Sequence, residues 1–246
     1  LLSSSWGRSC MRVALCFSGQ LRNVKSTFDG WYERNVLQPN KEHEIDVFVH
    51  SWYDNNTVGN VYHAANEIPN SVVASDPIPE NVVQQVYDLY NPVEFHLERP
   101  RVFDEKNYNN HRLHGAIPQN GLSRLYSLYR VMSTKVSYEL DNKFTYDVVA
   151  CARFDFTFKE PFNFNIVQQP NAIYHPGYSP HGFNVCYAMG NSTAMNTYGQ
   201  LYNYVDDVFN TGIPWCDENL ARTFIQMTGM KSIDFHVLNG LNRGTT

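Results

Sequence analysis

The sequence predicts an α/β fold, with a mixed, mainly parallel sheet flanked by helices in a single domain. Three observations carry that prediction. Over residues 11–155, short continuous apolar runs alternate with segments of helical periodicity, the order of a parallel sheet whose strands are buried on both faces. Three of the runs stop abruptly in small or charged residues, as strands do where a sheet offers its carboxyl edge to a ligand. From residue 156 the pattern changes to shorter runs between Pro- and Gly-rich turns, which reads as antiparallel.

The first strand is Val13 to Phe17, an apolar run that ends in Ser18-Gly19-Gln20. A helix follows, with Leu21, Val24, Phe28, Trp31, Tyr32 and Val36 at helical spacing. Ile45 to Trp52 is the second strand, and a polar loop rich in Asn and Asp leads away from it. Pro77, Pro79 and Pro92 bracket the next helix, PIPENVVQQVYDLYNP, and Val93 to Glu98 is the third strand. Arg99 to His114 is charged, Asn-rich and aperiodic, a long surface loop of the kind that orders on a ligand. Gln119 to Leu140 is the strongest helix, because Leu122, Leu125, Tyr129, Met132, Val136 and Leu140 form one apolar stripe. Tyr146 to Cys151 is a fourth core strand. Ala172 to His175 and Phe183 to Met189 are the short strands, followed by helices at about Ser192 to Phe209 and Asp217 to Thr228. A last strand lies near Ile233 to Val237.

The chain has 246 residues, 43% of them hydrophobic, enough to bury a sizeable core. Its net charge of -5 argues against nucleic acid as a partner, since binding a phosphate backbone needs a basic field. No apolar run approaches the roughly 18 residues of a spanning helix, so no transmembrane segment is expected. The opening LLSSSWGRSC lacks a basic start followed by an apolar core; residues 1–10 are set aside as an appendage, and the fold is read from Met11. Cys16, Cys151 and Cys186 sit in apolar runs and no CxxC spacing occurs, which points to buried thiols in a reducing compartment. The sequons at Asn55 and Asn191 are read as chance spellings.

The polar strand ends are the candidate site: Ser18, Gly19 and Gln20; His50, Ser51 and Trp52; Arg153 and Asp155. In a parallel sheet they fall on one edge. Gly19 lets a ligand approach the backbone, and Arg22, just beyond, and Arg124, on the polar side of the long helix, suit phosphate. Trp52 offers an indole for stacking on a base. The plain structural alternative for Arg153 and Asp155 is a local ion pair at the strand end.

The order VALCFSGQLR, DVFVHSW, a long helix carrying Ser123 and Arg124, and YDVVACARFD resembles glycosyltransferases of the GT-A type. It is most similar to a group found in bacterial surface-polysaccharide loci and in large DNA viruses, where a strand ending in Arg-aromatic-Asp is typical. The resemblance runs from Met11 to about Ile225. It implies a GT-A-like domain with a Rossmann-like, nucleotide-binding half (11–155) and an acceptor-side half (156–246). It also implies a nucleoside diphosphate sugar as donor, uridine-linked in the first instance, a glycan acceptor, and a cytoplasmic location in a bacterial or virus-infected cell.

In such enzymes the strand leaving the nucleotide-binding half carries Asp-x-Asp, which holds a divalent metal on the diphosphate. Here the first position is Arg153 and only Asp155 matches. Two chemistries are open. Asp155, with waters and a later histidine (His175 or His181), holds Mn²⁺ or Mg²⁺; or Arg153 neutralises the diphosphate through its planar fork and no metal is needed. The resemblance places the acceptor-side acid near the late helix, where Asp217 and Glu218 follow Pro214-Trp215. Either carboxylate is a candidate general base, with Asp217 the nearer to the turn, although acids at a helix start are also favoured by its dipole. Trp215, His181 and Asn184 are the expected acceptor contacts. The alternative from another class is a non-catalytic carbohydrate-binding module with a degenerate site. A nucleotide-dependent oxidoreductase is disfavoured by the missing GxGxxG after Phe17, and a sulfotransferase by the lack of a phosphate-cradling loop.

Overall fold

The computed structural model describes residues 10–59, 77–113, 116–179 and 182–242. Strand β1 (Arg12–Gln20) pairs in parallel with β2 (Glu44–Trp52) along its whole length, from Arg12 opposite Glu44 to Gln20 opposite Trp52. Between them runs α1 (24–40), which opens as an α-turn, widens into a π-helix over Phe28–Leu37 and closes in a 3-10 turn. The widened stretch sets Phe28 and Tyr32 in an aromatic cluster with Phe17 and Tyr90. Helix α2 (Val82–Tyr90) leads to the edge strand β3 (Glu94–Glu98), parallel to β2.

Helix α3 (Pro118–Asn142) then crosses back and delivers β4 (Val148–Ala152) to the other side of β1, again in parallel. Its buried stripe departs from the expected one. Leu122, Leu125 and Met132 are buried, but Leu140 is 73% exposed, and Lys135 and Glu139 turn inward in its place. Apolar spacing could not reveal this, because the two charges satisfy one another and their neighbours inside the core.

Beyond β4 come β5 (Phe156–Phe158), β6 (Ala172–His175), β7 (Tyr178–Ser179), β8 (Gly182–Phe183) and β9 (Tyr187–Gly190). The single run expected over 183–189 is therefore two strands: β8 makes a small hairpin with β7, and β9 joins the main sheet. Asn184 separates them, its side-chain oxygen accepting from the Cys186 N–H at 3.0 Å in a local turn. Helices α4 (Ser192–Tyr198), α5 (Val205–Phe209) and α6 (Asp217–Met227) follow, α4 and α5 being joined by 3-10 turns where one helix was expected. The chain closes with β10 (Lys231–Asp234), earlier than the expected 233–237, and β11 (Asn239–Leu241), which pairs antiparallel with β5.

The main sheet has seven strands in the order β3-β2-β1-β4-β9-β6-β10. β9 runs antiparallel to both β4 and β6, and the other pairings in the sheet are parallel. Alternate residues of the strands feed two cores. Val13, Leu15 and Phe17 pack with α1 and α2, while Ala14 and Cys16 face α3, α4 and α6. The expected α/β architecture, a mixed and mostly parallel sheet between helices, is what the chain forms. Cys16 and Cys151 are buried thiols. No helix among the described residues is long and apolar enough to cross a membrane.

Candidate functional site

The chain leaves β1 toward β2 and β3 on one side and returns to β4 on the other. The carboxyl ends of β1 and β4 therefore flank the point where the winding reverses, which is where open α/β sheets bind ligands. A recess lies there. Ser18 lines it from β1, Arg124 from α3, Arg153 from the end of β4, and Cys186 from the turn before β9. Three residues singled out in the sequence thus meet at one place.

The chain turns tightly here, with the Phe156 N–H donating to the Arg153 carbonyl at 3.2 Å, and Phe154 in the turn is buried and stacks on Phe17 at 4.8 Å. Arg153 donates from Nε to Asp155 Oδ1 at 2.8 Å and from Nη2 to Oδ2 at 2.5 Å. The ion pair is therefore formed, in bidentate geometry, with Asp155 only 2% exposed. Its remaining edge, Nη1, makes just a weak contact with Cys186 Sγ at 3.9 Å.

Arg124 is held differently. Its Nε donates to Asp217 Oδ2 at 2.7 Å and its Nη1 to the Val185 carbonyl at 3.2 Å. Nη2 is buried and has no partner among the described residues. Asp217 opens α6 beside Glu218, and the Cys216 thiol lies 2.6 Å from Glu218 Oε2. The two carboxyls are driven apart. Burial, then the charge and hydrogen bond of Asp217, push Glu218 up to about 7. Asp217 moves down: burial opposes this, but the Arg124 guanidinium and the hydrogen bond from Glu218 outweigh it. A carboxyl raised toward neutrality has the proton affinity a general base needs.

The residues at the end of β2 are placed as structure rather than as a surface for a nucleotide. His50, Ser51 and Trp52 are all buried, and Trp52 stacks on Tyr126 at 5.6 Å. Behind the β1 turn they make a relay. Gly19, at φ +105, donates its N–H to Ser127 Oγ at 2.8 Å, and Ser51 Oγ donates to the Gly19 carbonyl at 2.6 Å. Ser127 Oγ lies 2.8 Å from His50 Nδ1, and His50 Nε2 lies 3.2 Å from Glu98 Oε1. Burial pushes His50 down to about 4 against the pull of Glu98, so the ring is neutral at ordinary pH. Glu98 also meets Arg101 at 2.9 Å and Arg130 at 3.2 Å. Ser127 and Glu98 were missed in the sequence; the available signal was a serine inside the apolar stripe of the long helix.

Other expected contacts fall elsewhere. Arg22 folds back to donate to Gln20 Oε1. Trp215 is 0% exposed, stacked on Tyr108 at 4.4 Å and pressed against Gly121, so it offers no face to an acceptor sugar. The loop after β3 is anchored through this stack and through hydrogen bonds between Leu113, His111 and Trp215. Asn184 is half-buried near the recess, and His181 lies outside the described residues.

The expected metal does not fit this arrangement. Both Asp155 oxygens are taken by Arg153. His175 is buried, with Nδ1 2.8 Å from the Gly177 carbonyl and Nε2 2.8 Å from Ser232 Oγ, so both ring nitrogens are engaged. Cys216, Asp217 and Glu218 do bring ligand atoms within 4.8 Å of one another, but Asp217 is committed to Arg124.

Neither a family model nor a curated protein sequence matches this chain. Two guanidiniums and a serine meet at the switch point of the sheet, and Glu218, raised toward neutrality, adjoins the Asp217 that pairs with Arg124.

Proposed function

We propose that the protein is a glycosyltransferase of GT-A type that moves a sugar from a nucleoside diphosphate, uridine-linked in the first instance, to a glycan acceptor. The observation that carries this reading is the convergence of Arg124, Arg153 and Ser18 on one recess at the sheet's switch point. Planar guanidiniums recognise phosphate oxygens in pairs, and a diphosphate is the group that calls for two of them. Glu218, raised to about 7 next door, supplies the base for the attacking hydroxyl and is better suited than Asp217, whose ion pair holds it ionised and weakly basic. The buried positions of Trp52 and Trp215 weigh against a carbohydrate-binding module that relies on those indoles as platforms.

The test is to incubate the protein with UDP- and GDP-sugars and follow release of the nucleoside diphosphate, with and without candidate glycans. Release from one donor, lost in Glu218→Gln only when an acceptor is needed, is the expected result. No release from any donor, with retained binding of free glycans, would turn the reading to the carbohydrate-binding alternative.

A further inference from the structure

Strand β3 is an edge of the main sheet, and its pairing with β2 sets Glu94 opposite Phe48 and His96 opposite His50. Phe48 packs edge-on against Tyr138 of α3 at 5.4 Å, and His50 Nδ1 lies 2.8 Å from Ser127 Oγ of the same helix. Residues opposite one another in register share a face, so Glu94 and His96 also lie on the α3 side. The helix does not close over them. Where it passes the edge it carries the short side chains of Ser133, Thr134 and Ser137, and a groove of about 410 Å³ stays open between helix and strand. That volume falls within the ~300–1,000 Å³ of small-molecule sites.

Two tyrosines line the groove, nine residues apart on α3 and so about 13.5 Å apart along its axis. Both rings are packed against other aromatics, Tyr129 on Tyr202 with centroids 6.1 Å apart and Tyr138 on Phe48. Between them the wall accepts hydrogen bonds. Ser133 Oγ donates to the Tyr129 carbonyl at 2.8 Å and Thr134 Oγ1 to the Arg130 carbonyl at 3.1 Å, so each hydroxyl has used its proton and offers lone pairs. Glu94 and Asp141 add carboxylate oxygens, which only accept when ionised. The charge is near balance, because Arg130 and His96 line the same groove, Arg130 held by Glu98 Oε1 at 3.2 Å. Such a lining suits a neutral ligand rich in hydroxyl donors, with ring faces for the tyrosines. Phosphate brings only acceptors, and a polycation meets the Arg130 guanidinium.

We propose that this groove binds a neutral oligosaccharide, at a site separate from the recess at the sheet's switch point. Thr134 is ten residues along α3 from Arg124, about 15 Å at ~1.5 Å per residue. The carboxylates and hydroxyls take the sugar's O–H donors, and Tyr129 and Tyr138 meet its ring faces. The site rests on its own lining and does not depend on the donor-site reading. It gives the chain a place to hold a glycan away from any point of transfer.

The experiment is NMR titration of the isotope-labelled whole chain with maltotriose and with chitotriose, spermidine and inorganic pyrophosphate serving as charged comparisons. The proposal expects saturable shifts of the backbone amides at 94–96 and 129–141 with at least one trisaccharide. Ser137→Trp fills the groove from an exposed position and should abolish those shifts. Asp141→Ala, also exposed, should weaken binding by about 10-fold, the loss of a hydrogen bond to a charged group. The rest of each variant's spectrum reports that it is folded. Silence from both sugars overturns the proposal, and so does saturation of these amides by spermidine or pyrophosphate alone. Sugar shifts that survive Ser137→Trp overturn it too, and if they vanish in Arg124→Lys the sugar sits at the recess instead.

Discussion

Lys135 and Arg124 project from the same helix, and each is paired with a carboxylate, yet their surroundings are opposite in kind. Lys135 is 0% exposed, and all its donors are placed: on Glu139 Oε2 at 2.9 Å, Ser192 Oγ at 2.7 Å and Asn196 Oδ1 at 2.5 Å. Glu139 is completed by Ser192 Oγ at 2.7 Å and the Tyr146 N–H at 2.8 Å. That network is closed and ties α3, α4 and the start of β4 together. The Arg124 cluster is open: one nitrogen without a partner among the described residues, one carboxylate partly exposed, and a neighbouring carboxyl with a raised proton affinity. Buried charge that is fully satisfied specifies a packing arrangement. Buried charge left incomplete at a recess has a vacancy in its hydrogen bonding that folding does not fill.

That contrast can be broken by substitutions that move function without stability, and the reverse. The largest expected effect is on catalysis. On the proposed glycosyltransferase reading, Glu218→Gln lowers glycosyl transfer by about 10²–10⁴-fold, the usual contribution of a general base, while UDP binding in titration stays within a few-fold. In the wild type the rate should rise with pH through about 7 and level off above it, since only the ionised carboxyl accepts a proton; Glu218→Gln should lose that limb. The same raised value has a consequence for folding. Its contribution is fully present below the unfolded carboxyl's value and is lost as pH rises through about 7, so Glu218→Gln should gain in Tm relative to the wild type across that window.

Lys135→Met should cost about 3–5 kcal/mol of stability by chemical denaturation, because Glu139 is left buried without its counter-charge. Pyrophosphate affinity of the folded fraction should not change; if it does, the two clusters are coupled through α3 and the contrast fails. Gly121→Ala is next. An added Cβ would sit 3.0 Å from Trp215 Cζ2, so the indole must shift, at about 1–3 kcal/mol and with a changed near-ultraviolet dichroism from the Tyr108–Trp215 stack. A comparable cost, about 1–3 kcal/mol, attends Ser127→Ala, which strips the acceptor from the Gly19 N–H. It should weaken UDP binding only modestly, since it acts on the β1 turn from behind; a loss as large as in Arg124→Lys would place the turn itself in contact with the ligand.

The sequence by itself determined the alternation of strand and helix through β4, the change to shorter strands beyond it, and the candidate strand-end residues. Apolar runs and helical spacing are local properties, and burial on both faces of a sheet leaves a signature that needs no knowledge of neighbours. Arg153, Asp155 and Ser18 could be singled out because charge or smallness at the end of an apolar run is visible in one dimension, and Arg124 because it lies on the polar side of a periodic helix. What those residues do to each other was not. Bidentate pairing of Arg153 with Asp155, the commitment of Asp217 to Arg124, and the split between Asp217 and Glu218 depend on which groups meet across 93 residues of chain and how far water is excluded. The same holds for Lys135 and Glu139, whose charge reads as a solvated face until Ser192 and Asn196 arrive from another helix, and for Trp215, whose apparent availability ends where Tyr108 and Gly121 close on it. Electrostatics and hydrogen-bond satisfaction belong to contacts between distant segments, so only the tertiary structure could decide them.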